Sequence, residues 1–246
     1  MRLQAFKGSR KSERPFAVVM AGPAGAGKSF SRDKLLPWLH KEHGLPAPEH
    51  YAMIDPDIWI TELCGNNNAL RPIANYCNHE TFLAAVRERR HMIFDSTGRQ
   101  LLNTCGRIIG RLERANYQVV MCSVLSKRDT CWERIESRRI ATGRGVPGFI
   151  FNPTFDDMRT VVPVYLRGVA SGLCTMSILS NNEPDSEAKL GLQQRYVLTS
   201  ESSKEEIDAT VAAAHVLLET HPPSEDGEEA PKKPRPQTAP PPAVPK

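Results

Sequence analysis

The stretch Gly22-Pro23-Ala24-Gly25-Ala26-Gly27-Lys28-Ser29 matches the phosphate-binding P-loop pattern G-x-x-x-x-G-K-[ST]. An apolar run at residues 16–20 precedes it and predicts a buried strand, and residues 30–39 after it predict a helix. The glycines let the backbone turn its N–H groups toward an anion, and the helix N-terminus adds partial positive charge. Lys28 is expected to reach the β- and γ-phosphates of a nucleotide, and the Ser29 hydroxyl is expected to bind Mg²⁺.

The 246 residues predict one globular domain between two atypical ends. Residues 221–246 contain nine prolines and no apolar periodicity, so their composition predicts a disordered, Pro-rich tail. Residues 1–14 are basic and polar and predict a flexible arm. The remaining residues, 15–220, are enough for a single α/β domain with a substantial core.

The composition argues against several classes of protein. The formal net charge of +4 does not require a nucleic-acid partner. The chain has no run of the roughly eighteen apolar residues that a membrane span requires. It also begins without a signal-peptide apolar region, which favours a cytoplasmic location and leaves a mitochondrial presequence in the Arg-rich arm as the alternative. The six cysteines have no C-x-x-C spacing, which argues against a zinc or redox motif.

Two acidic residues follow the second predicted strand, at residues 51–54. Pro56 holds Asp55 extended at the end of this strand. In open α/β sheets ligands bind at this edge, where the P-loop also lies, so Asp55 and Asp57 are candidate functional acids. Asp55 is expected to face the metal or the P-loop, and Asp57 is the more accessible to an acceptor. The alternative is a polar turn in which an aspartate caps the next helix.

A third predicted strand, at residues 91–95, ends in Asp95. An apolar strand that closes on an acid is the Walker B arrangement, which holds Mg²⁺ directly or through water. Thr97 and Arg99 follow in a tight loop on the same edge. Strands that alternate with helices in this way predict a mostly parallel sheet with helices on both faces, the P-loop NTPase architecture.

Arginines follow the fourth predicted strand, at residues 117–125. Ser126 is expected to cap the next helix, which carries Arg134. A glycine-rich loop after that helix presents Arg144 and is typical of a mobile lid that brings a cation to a transferring phosphoryl group. The alternative is a helix C-cap followed by a solvated arginine.

The order of these motifs over residues 16–147 resembles the zeta-toxin-type P-loop kinases. The similar stretches are the P-loop, the turn Ile54-Asp55-Pro56-Asp57 and the strand end Phe94-Asp95-Ser96-Thr97-Gly98-Arg99, although Asp95 stands where family members carry Glu. The resemblance implies that Asp57 is the general base and that Arg134 and Arg144 stabilise the phosphoryl group. It implies contacts with substrate from Asp55, Glu80, Thr97 and Arg99.

The same resemblance implies ATP or GTP with Mg²⁺ as cofactors. It implies phosphorylation of the 3′-hydroxyl of a small-molecule acceptor of the UDP-N-acetylglucosamine type. Two alternatives stay open. They are a polynucleotide or nucleoside kinase, and a non-catalytic adaptor that makes weak protein contacts through Pro231-Lys232-Lys233-Pro234 in the tail. A GTPase switch is disfavoured, because the segment between Asp95 and Lys127 has room for only one helix and one strand. The core lacks a basic and aromatic stripe, which argues against nucleic acid as the partner.

Overall fold

The computed structural model describes residues 5–65, 67–143, 145–181 and 195–219. Its strands are β1 (Phe16–Ala21), β2 (Ala52–Ile54), β3 (Met92–Asp95), β4 (Gln118–Leu125), β5 (Met176–Asn181) and β6 (Arg195–Thr199). They form one sheet in the order β2-β3-β1-β4-β5-β6. The first five strands run parallel, and β6 pairs antiparallel with β5. The expected P-loop NTPase architecture is confirmed.

Helices connect the strands. They are α1 (Lys28–His43), α2 (Pro56–Cys64), α3 (Arg71–Arg87), α4 (Gly110–Arg114), α5 (Arg128–Thr142), α6 (Gly148–Leu166) and α7 (Lys204–Leu218). A π-helix at Leu102–Ile109 runs directly into α4. Short 3₁₀ turns lie at Pro48–His50, Asn68–Leu70 and Arg167–Val169. In the described part of the chain, no helix has both the length and the apolarity that crossing a bilayer requires.

The core is built on the central strands. Five of the six residues of β1 and seven of the eight residues of β4 are buried. A parallel strand covered on both faces needs such a continuous apolar run, which explains why the sequence shows runs rather than alternation. The largest fully buried side chains include Phe82 of α3 and Phe155 and Tyr165 of α6, so helices from separate parts of the chain close on the sheet.

Helix α6 forms in spite of two internal prolines. It begins at Gly148 and ends at Leu166, and it contains Pro153 and Pro163. Two prolines are strong helix-breaking signals in a sequence. Here they are outweighed by the burial of apolar side chains along the helix, including Phe151 near its start.

Residues 5–14 lie against the β2 and β3 end of the sheet. The N–H of Arg10 donates to the carbonyl of His50 at 2.9 Å, and Lys11 forms an antiparallel bridge with Arg90. The Arg90 guanidinium stacks on the ring of Phe6, 4.8 Å from its centre. The composition of residues 1–14 predicted a flexible arm and did not indicate these contacts. The predicted tail at residues 221–246 lies outside the described residues.

A buried histidine links the stability of this edge to pH. His91 is only 8% exposed, and its Nδ1 accepts a 3.0 Å hydrogen bond from the N–H of Phe16. Burial, with a smaller contribution from the charge of His50, lowers the pKa of His91 below its usual value of 6.5. The unfolded chain therefore takes up a proton at a higher pH than the folded protein does. Stability falls as the pH drops below about 6.5.

We expect His91→Asn to reduce this pH dependence, because the Asn amide oxygen can still accept the bond from Phe16 but does not titrate. The measurement is the urea midpoint of unfolding at pH 7.5 and pH 5.5. His215→Gln, an exposed change on α7, should leave the wild-type difference between the two midpoints intact. An equal loss of stability in His91→Asn and wild type would contradict the assignment.

Candidate functional site

At two positions of the P-loop, the neighbouring backbone leaves room for glycine only. A Cβ on Gly22 (φ 153°) would lie 2.2 Å from the carbonyl oxygen of Val124, and one on Gly25 (φ 80°) would lie 2.1 Å from that of Cys131. The N–H of Gly22 donates to the carbonyl of Thr97 at 3.0 Å. The loop is thus fixed against both β4 and the segment that follows β3.

The ammonium group of Lys28 forms hydrogen bonds with the P-loop itself. Its Nζ donates to the carbonyls of Gly22 at 2.9 Å and Pro23 at 3.3 Å. A phosphate oxygen carries charge and is a stronger acceptor than a carbonyl, so a bound nucleotide can draw the ammonium away from these bonds. Ser29 is exposed and lines the same cavity as Lys28 and Asp95.

Asp95 ends β3 next to the P-loop. The strand register pairs it with Met20, two residues before Gly22, and it is 8% exposed. Burial raises the pKa of Asp95 to about 6; the charge of Lys28 opposes this shift and the charge of Asp55 adds to it. A buried carboxylate whose counter-charge is incomplete favours the arrival of a cation.

Asp55 and Asp57 begin α2 but have different partners. The Oδ1 of Asp55 accepts the N–H of Asp57 at 2.8 Å, so Asp55 is the N-cap of α2, as the structural alternative expected. Burial raises the pKa of Asp55, and the same backbone bond opposes the shift. Both acids also line the P-loop cavity, so capping and a functional role are compatible.

Asp57 is paired with Arg71, a residue that sequence reasoning missed. Both terminal nitrogens of the Arg71 guanidinium lie 3.0 Å from Oδ1 of Asp57. The Arg71 and Asp57 side chains are 43% and 41% exposed. A pair this exposed is worth roughly 0.2–1 kcal/mol, so a substrate group can displace it.

Arg134 reaches the P-loop from α5. Its Nη1 donates to the hydroxyl of Ser126 at 2.9 Å and to the carbonyl of Gly25 at 3.3 Å. The prediction that Ser126 caps α5 was wrong, because Lys127 occupies the cap position without a side-chain bond. The Ser126 hydroxyl accepts from Arg134 instead and helps to hold this cation over the loop.

Two cavities meet at this edge of the sheet. The narrow cavity, of about 430 Å³, is lined by the P-loop, Asp55, Asp57, Arg134 and Arg138. The wide cavity, of about 1030 Å³, lies between α3, the π-helix and α6. The residues that line both are Pro56, Arg71, Asp95, Ser96, Thr97, Ile150 and Thr154. The two cavities are therefore neighbours with a common wall.

The other predicted residues differ in placement. Thr97 borders both cavities, and Arg99 lines the wide one, where it donates to the hydroxyl of Thr154 at 3.1 Å. Glu80 is half-buried on α3 and lines neither of these cavities. Arg144 lies outside the described residues, although Val146, two residues later, lines the narrow cavity.

The donor set fits Mg²⁺ that arrives with a nucleotide. Among the described residues, no group of three or more His, Cys, Asp and Glu side chains is placed to hold a metal ion alone. Mg²⁺ commonly uses one or two protein carboxylates together with substrate phosphates. The buried carboxylate of Asp95 and the hydroxyl of Ser29, in one cavity, match that requirement.

Solved structures share this fold. A protein of the PezAT chromosomal toxin-antitoxin system of the human pathogen Streptococcus pneumoniae is 14% identical with a TM-score of 0.55, and the match covers 89% of this chain and 93% of that chain. The AvrRxo1-ORF1:-ORF2 complex is 12% identical with a TM-score of 0.61, over 88% and 81% of the two chains. The same pair with ATP gives 13% and 0.59, over 80% and 62%.

Identities this low show a common fold only. No curated protein matches the sequence. The sheet, the P-loop and the acid at the end of β3 define a P-loop nucleotide-binding protein. The sequence also matches the AAA domain family over residues 18–160, more than half of the chain. The chain belongs to this AAA domain family.

Asp95 gives a prediction about stability without ligand. The pKa of Asp95 is raised from 3.8 to about 6, so the folded protein keeps this carboxyl protonated at pH values where the unfolded chain has already lost the proton. Stability is therefore lost as the pH rises through about 6. The cost at neutral pH is on the order of 2–4 kcal/mol. Asp95→Asn should therefore raise the melting temperature of the metal-free protein at pH 7.5.

The gain should shrink as the pH is lowered toward 4, where the wild-type carboxyl also becomes neutral. Asp129→Asn, which changes an exposed acid on α5, is the matched control and should not show the gain. A lower melting temperature for Asp95→Asn at pH 7.5 would mean that Asp95 stabilises the fold rather than serving a ligand.

Proposed function

We propose that the chain is a phosphotransferase that moves the γ-phosphoryl group of ATP or GTP to a hydroxyl of a small acceptor. The observation that carries this proposal is the common wall of the two cavities, where Asp95 and Thr97 face both. A protein that only hydrolyses its nucleotide has no need for a neighbouring cavity of about 1030 Å³. A kinase needs one beside the γ-phosphate to position its acceptor.

The geometry supports a role for each residue in the step. The oxygen of the acceptor hydroxyl forms a bond to the γ-phosphorus, the bond from that phosphorus to the β–γ bridging oxygen breaks, and the nucleoside diphosphate leaves. Asp57, at the edge of the narrow cavity, accepts the proton of the hydroxyl. Arg71 holds the carboxylate of Asp57 until the acceptor displaces this weak pair.

Cationic side chains neutralise the negative charge of the transferring phosphoryl group. Lys28 can exchange its two carbonyl partners for phosphate oxygens, and Arg134 already lies against the P-loop at Gly25. Arg144 is proposed as a further cation from the loop after α5. Ser29 and Asp95 would hold Mg²⁺, and the ion would supply positive charge that neutralises the phosphates. Catalysis of this kind depends mainly on positioning and electrostatics.

The acceptor proposed first is a sugar nucleotide of the UDP-N-acetyl type, which the resemblance to zeta-toxin-type kinases implies. The polar lining of the wide cavity supports it: amide, hydroxyl and imidazole groups come from Asn75, Asn78, His79, Thr97 and Asn103. Such groups fix the hydroxyls and amides of a sugar. Thr97 and Arg99 are the proposed substrate contacts at the common wall, and Asp55 is the acid that faces the nucleotide side.

The proposal predicts that Lys28→Ala folds normally and consumes nucleotide far more slowly than wild type. The reason is the loss of the ammonium that binds the β- and γ-phosphates. Lys34→Ala, on the exposed side of the same helix, is the control and should keep wild-type turnover. The measurement is nucleoside diphosphate release, with circular dichroism to verify folding. Unchanged turnover in Lys28→Ala would refute the proposed function.

Asp57 and Asp55 should respond differently to replacement by Asn. Asp57→Asn is expected to lower kcat by about 10²–10⁴ and to leave nucleotide affinity nearly unchanged, because only the proton acceptor is lost. Asp55→Asn keeps the N-cap, since Asn caps helices as well as Asp does, and should instead weaken Mg²⁺-dependent nucleotide binding. Measuring kcat and nucleotide Kd for both variants tests the assignment. Loss of turnover with intact binding in Asp55→Asn alone would make Asp55 the base.

A further inference from the structure

The wide cavity presents positive charge to solvent. Its charged lining residues are five arginines and one carboxylate, that of Asp95. Two of the arginines, Arg71 and Arg99, have side-chain partners. The other three are exposed and form no hydrogen bond or ion pair with any residue that the structure describes; they are Arg107, Arg111 and Arg114. An exposed surface of this charge can bind an acidic segment of a protein chain.

The three arginines follow one another along a continuous helical stretch. Arg107 lies in the π-helix, and Arg111 and Arg114 lie in α4. The seven residues from the first arginine to the last span about 10 Å along the helix axis. Like charges at spacings of three and four residues destabilise a helix. Acidic side chains placed beside these arginines would therefore stabilise the stretch.

An acidic segment of matching length follows the last helix of the chain. Glu225-Asp226-Gly227-Glu228-Glu229 carries four carboxylates in five residues, and we name it the acidic segment. It lies outside the described residues, of which Glu219 is the last. If the backbone is extended, the first and last residues of the segment are about 13 Å apart. This length is close to that of the arginine stretch.

The chain leaves α7 at the edge of the sheet where both cavities lie. Strand β6 runs antiparallel to β5, so it ends at the opposite edge, and α7 begins after it. The guanidinium of Arg167, directly after α6, lies 2.9 Å from the carboxylate of Asp208, near the start of α7. Because the two helices pack together with these ends adjacent, α7 runs antiparallel to α6, and its last residue, Leu218, lies toward the start of α6. Ile150 and Thr154, near that start, line both cavities.

The acidic segment can reach the three arginines from this position. The chain from Leu218 to Glu225 can extend over at most about 23–25 Å. Helix α6 packs against α7 and, through the hydrogen bond between Tyr165 and Thr104, against the π-helix. Two interhelical distances amount to about 16–20 Å. By contrast, the basic residues of the arm lie beside Arg90, at the opposite edge of the sheet.

We propose that the acidic segment binds in the wide cavity of its own molecule, against Arg107, Arg111 and Arg114. Each ion pair between exposed groups is weak. The short connection to α7 gives the segment an effective concentration on the order of millimolar, so several weak pairs together are sufficient. The bound segment occupies space that the acceptor needs and so restrains turnover. Only this last consequence rests on the proposed function.

The first experiment measures how fast each arginine of the full chain reacts with phenylglyoxal, followed by mass spectrometry. The tail variant is Glu225→Gln, Asp226→Asn, Glu228→Gln and Glu229→Gln. The three cavity arginines should react about threefold to tenfold faster in this variant than in wild type, because their acidic partners are gone. Arg159, an exposed arginine outside both cavities, should react equally in both proteins.

The matched control removes four exposed acids from outside both cavities, by Glu42→Gln, Asp129→Asn, Glu201→Gln and Glu205→Gln. It should keep the wild-type reactivity of the cavity arginines. Equal reactivity in wild type and the tail variant would overturn the inference. So would an equal gain in the control, which would indicate that net charge alone sets the rates.

The second experiment locates the contact by crosslinking. Arg107→Lys, Arg111→Lys and Arg114→Lys keep the charge and add amines, which a carbodiimide joins to neighbouring carboxylates as amides with loss of water. Mass spectrometry should find crosslinks from these three positions to residues 225–229, in a yield that does not fall on dilution. Crosslinks only to the acids at residues 183–187, or only between two molecules, would overturn the inference.

Turnover separates this inference from the proposed function. With UDP-N-acetylglucosamine as the acceptor, the tail variant should show a KM about threefold or more below that of wild type, because more molecules have an open cavity. Its nucleotide Kd should be unchanged. An unchanged KM would overturn the restraint of turnover by the acidic segment. If the arginine reactivity depends on the acidic segment but no acceptor is ever phosphorylated, the contact stands and the proposed function fails.

Discussion

The close approach of Gly22 to two neighbouring segments positions the rest of the site. Its N–H donates to the carbonyl of Thr97, and its Cα lies so close to Val124 that no side chain fits there. The contact with Thr97 fixes the segment that carries Asp95. The contact with Val124 fixes the end of β4, and Arg134 follows in the middle of the next helix, α5. The P-loop, the buried acid and the phosphate-facing cation are therefore positioned by one packed junction, built from backbone rather than from flexible side chains.

The same junction concentrates unfavourable charge. The charge of Asp55 raises the cost of ionising Asp95, and burial raises the pKa of both acids. In the wide cavity, the side chains of Arg107, Arg111 and Arg114 carry three positive charges that no described residue pairs. Asp55 and Asp57 thus line only the narrow cavity, and the wide cavity is mainly cationic. Ligands that bring a cation to the first and an anion to the second would complete both, and a site arranged in this way trades stability of the free protein for binding.

The sequence predicted those features that depend on local pattern. Apolar runs located the strands, the glycine spacing located the P-loop, and the strand ends located Asp55, Asp57 and Asp95. It did not predict Arg71 as the partner of Asp57, because the two lie fourteen residues apart and meet only when α2 and α3 pack together. The cap at Ser126 failed for a similar reason, since a tertiary contact with Arg134 took its hydroxyl.

The cationic lining of the wide cavity was also beyond sequence reasoning. Arg107, Arg111 and Arg114 look like solvated surface residues of an ordinary helix, and no sequence rule indicates that Leu102–Ile109 forms a π-helix. These arginines line a cavity only because that helix packs beside α3 and α6. Glu80 shows the converse, since its position in the motif order suggested a substrate contact and the structure places it outside both cavities.

The central claim is that the γ-phosphoryl group moves from a nucleotide in the narrow cavity to an acceptor in the wide cavity. It is tested most directly by supplying ATP with an isotope-labelled γ-phosphate together with a panel of phosphorylated acceptors, and by following the label with mass spectrometry. The account predicts that the label enters an acceptor in the same amount as ADP is formed. Label found only in inorganic phosphate, with every acceptor unchanged, would contradict the account and make this protein a nucleotide hydrolase.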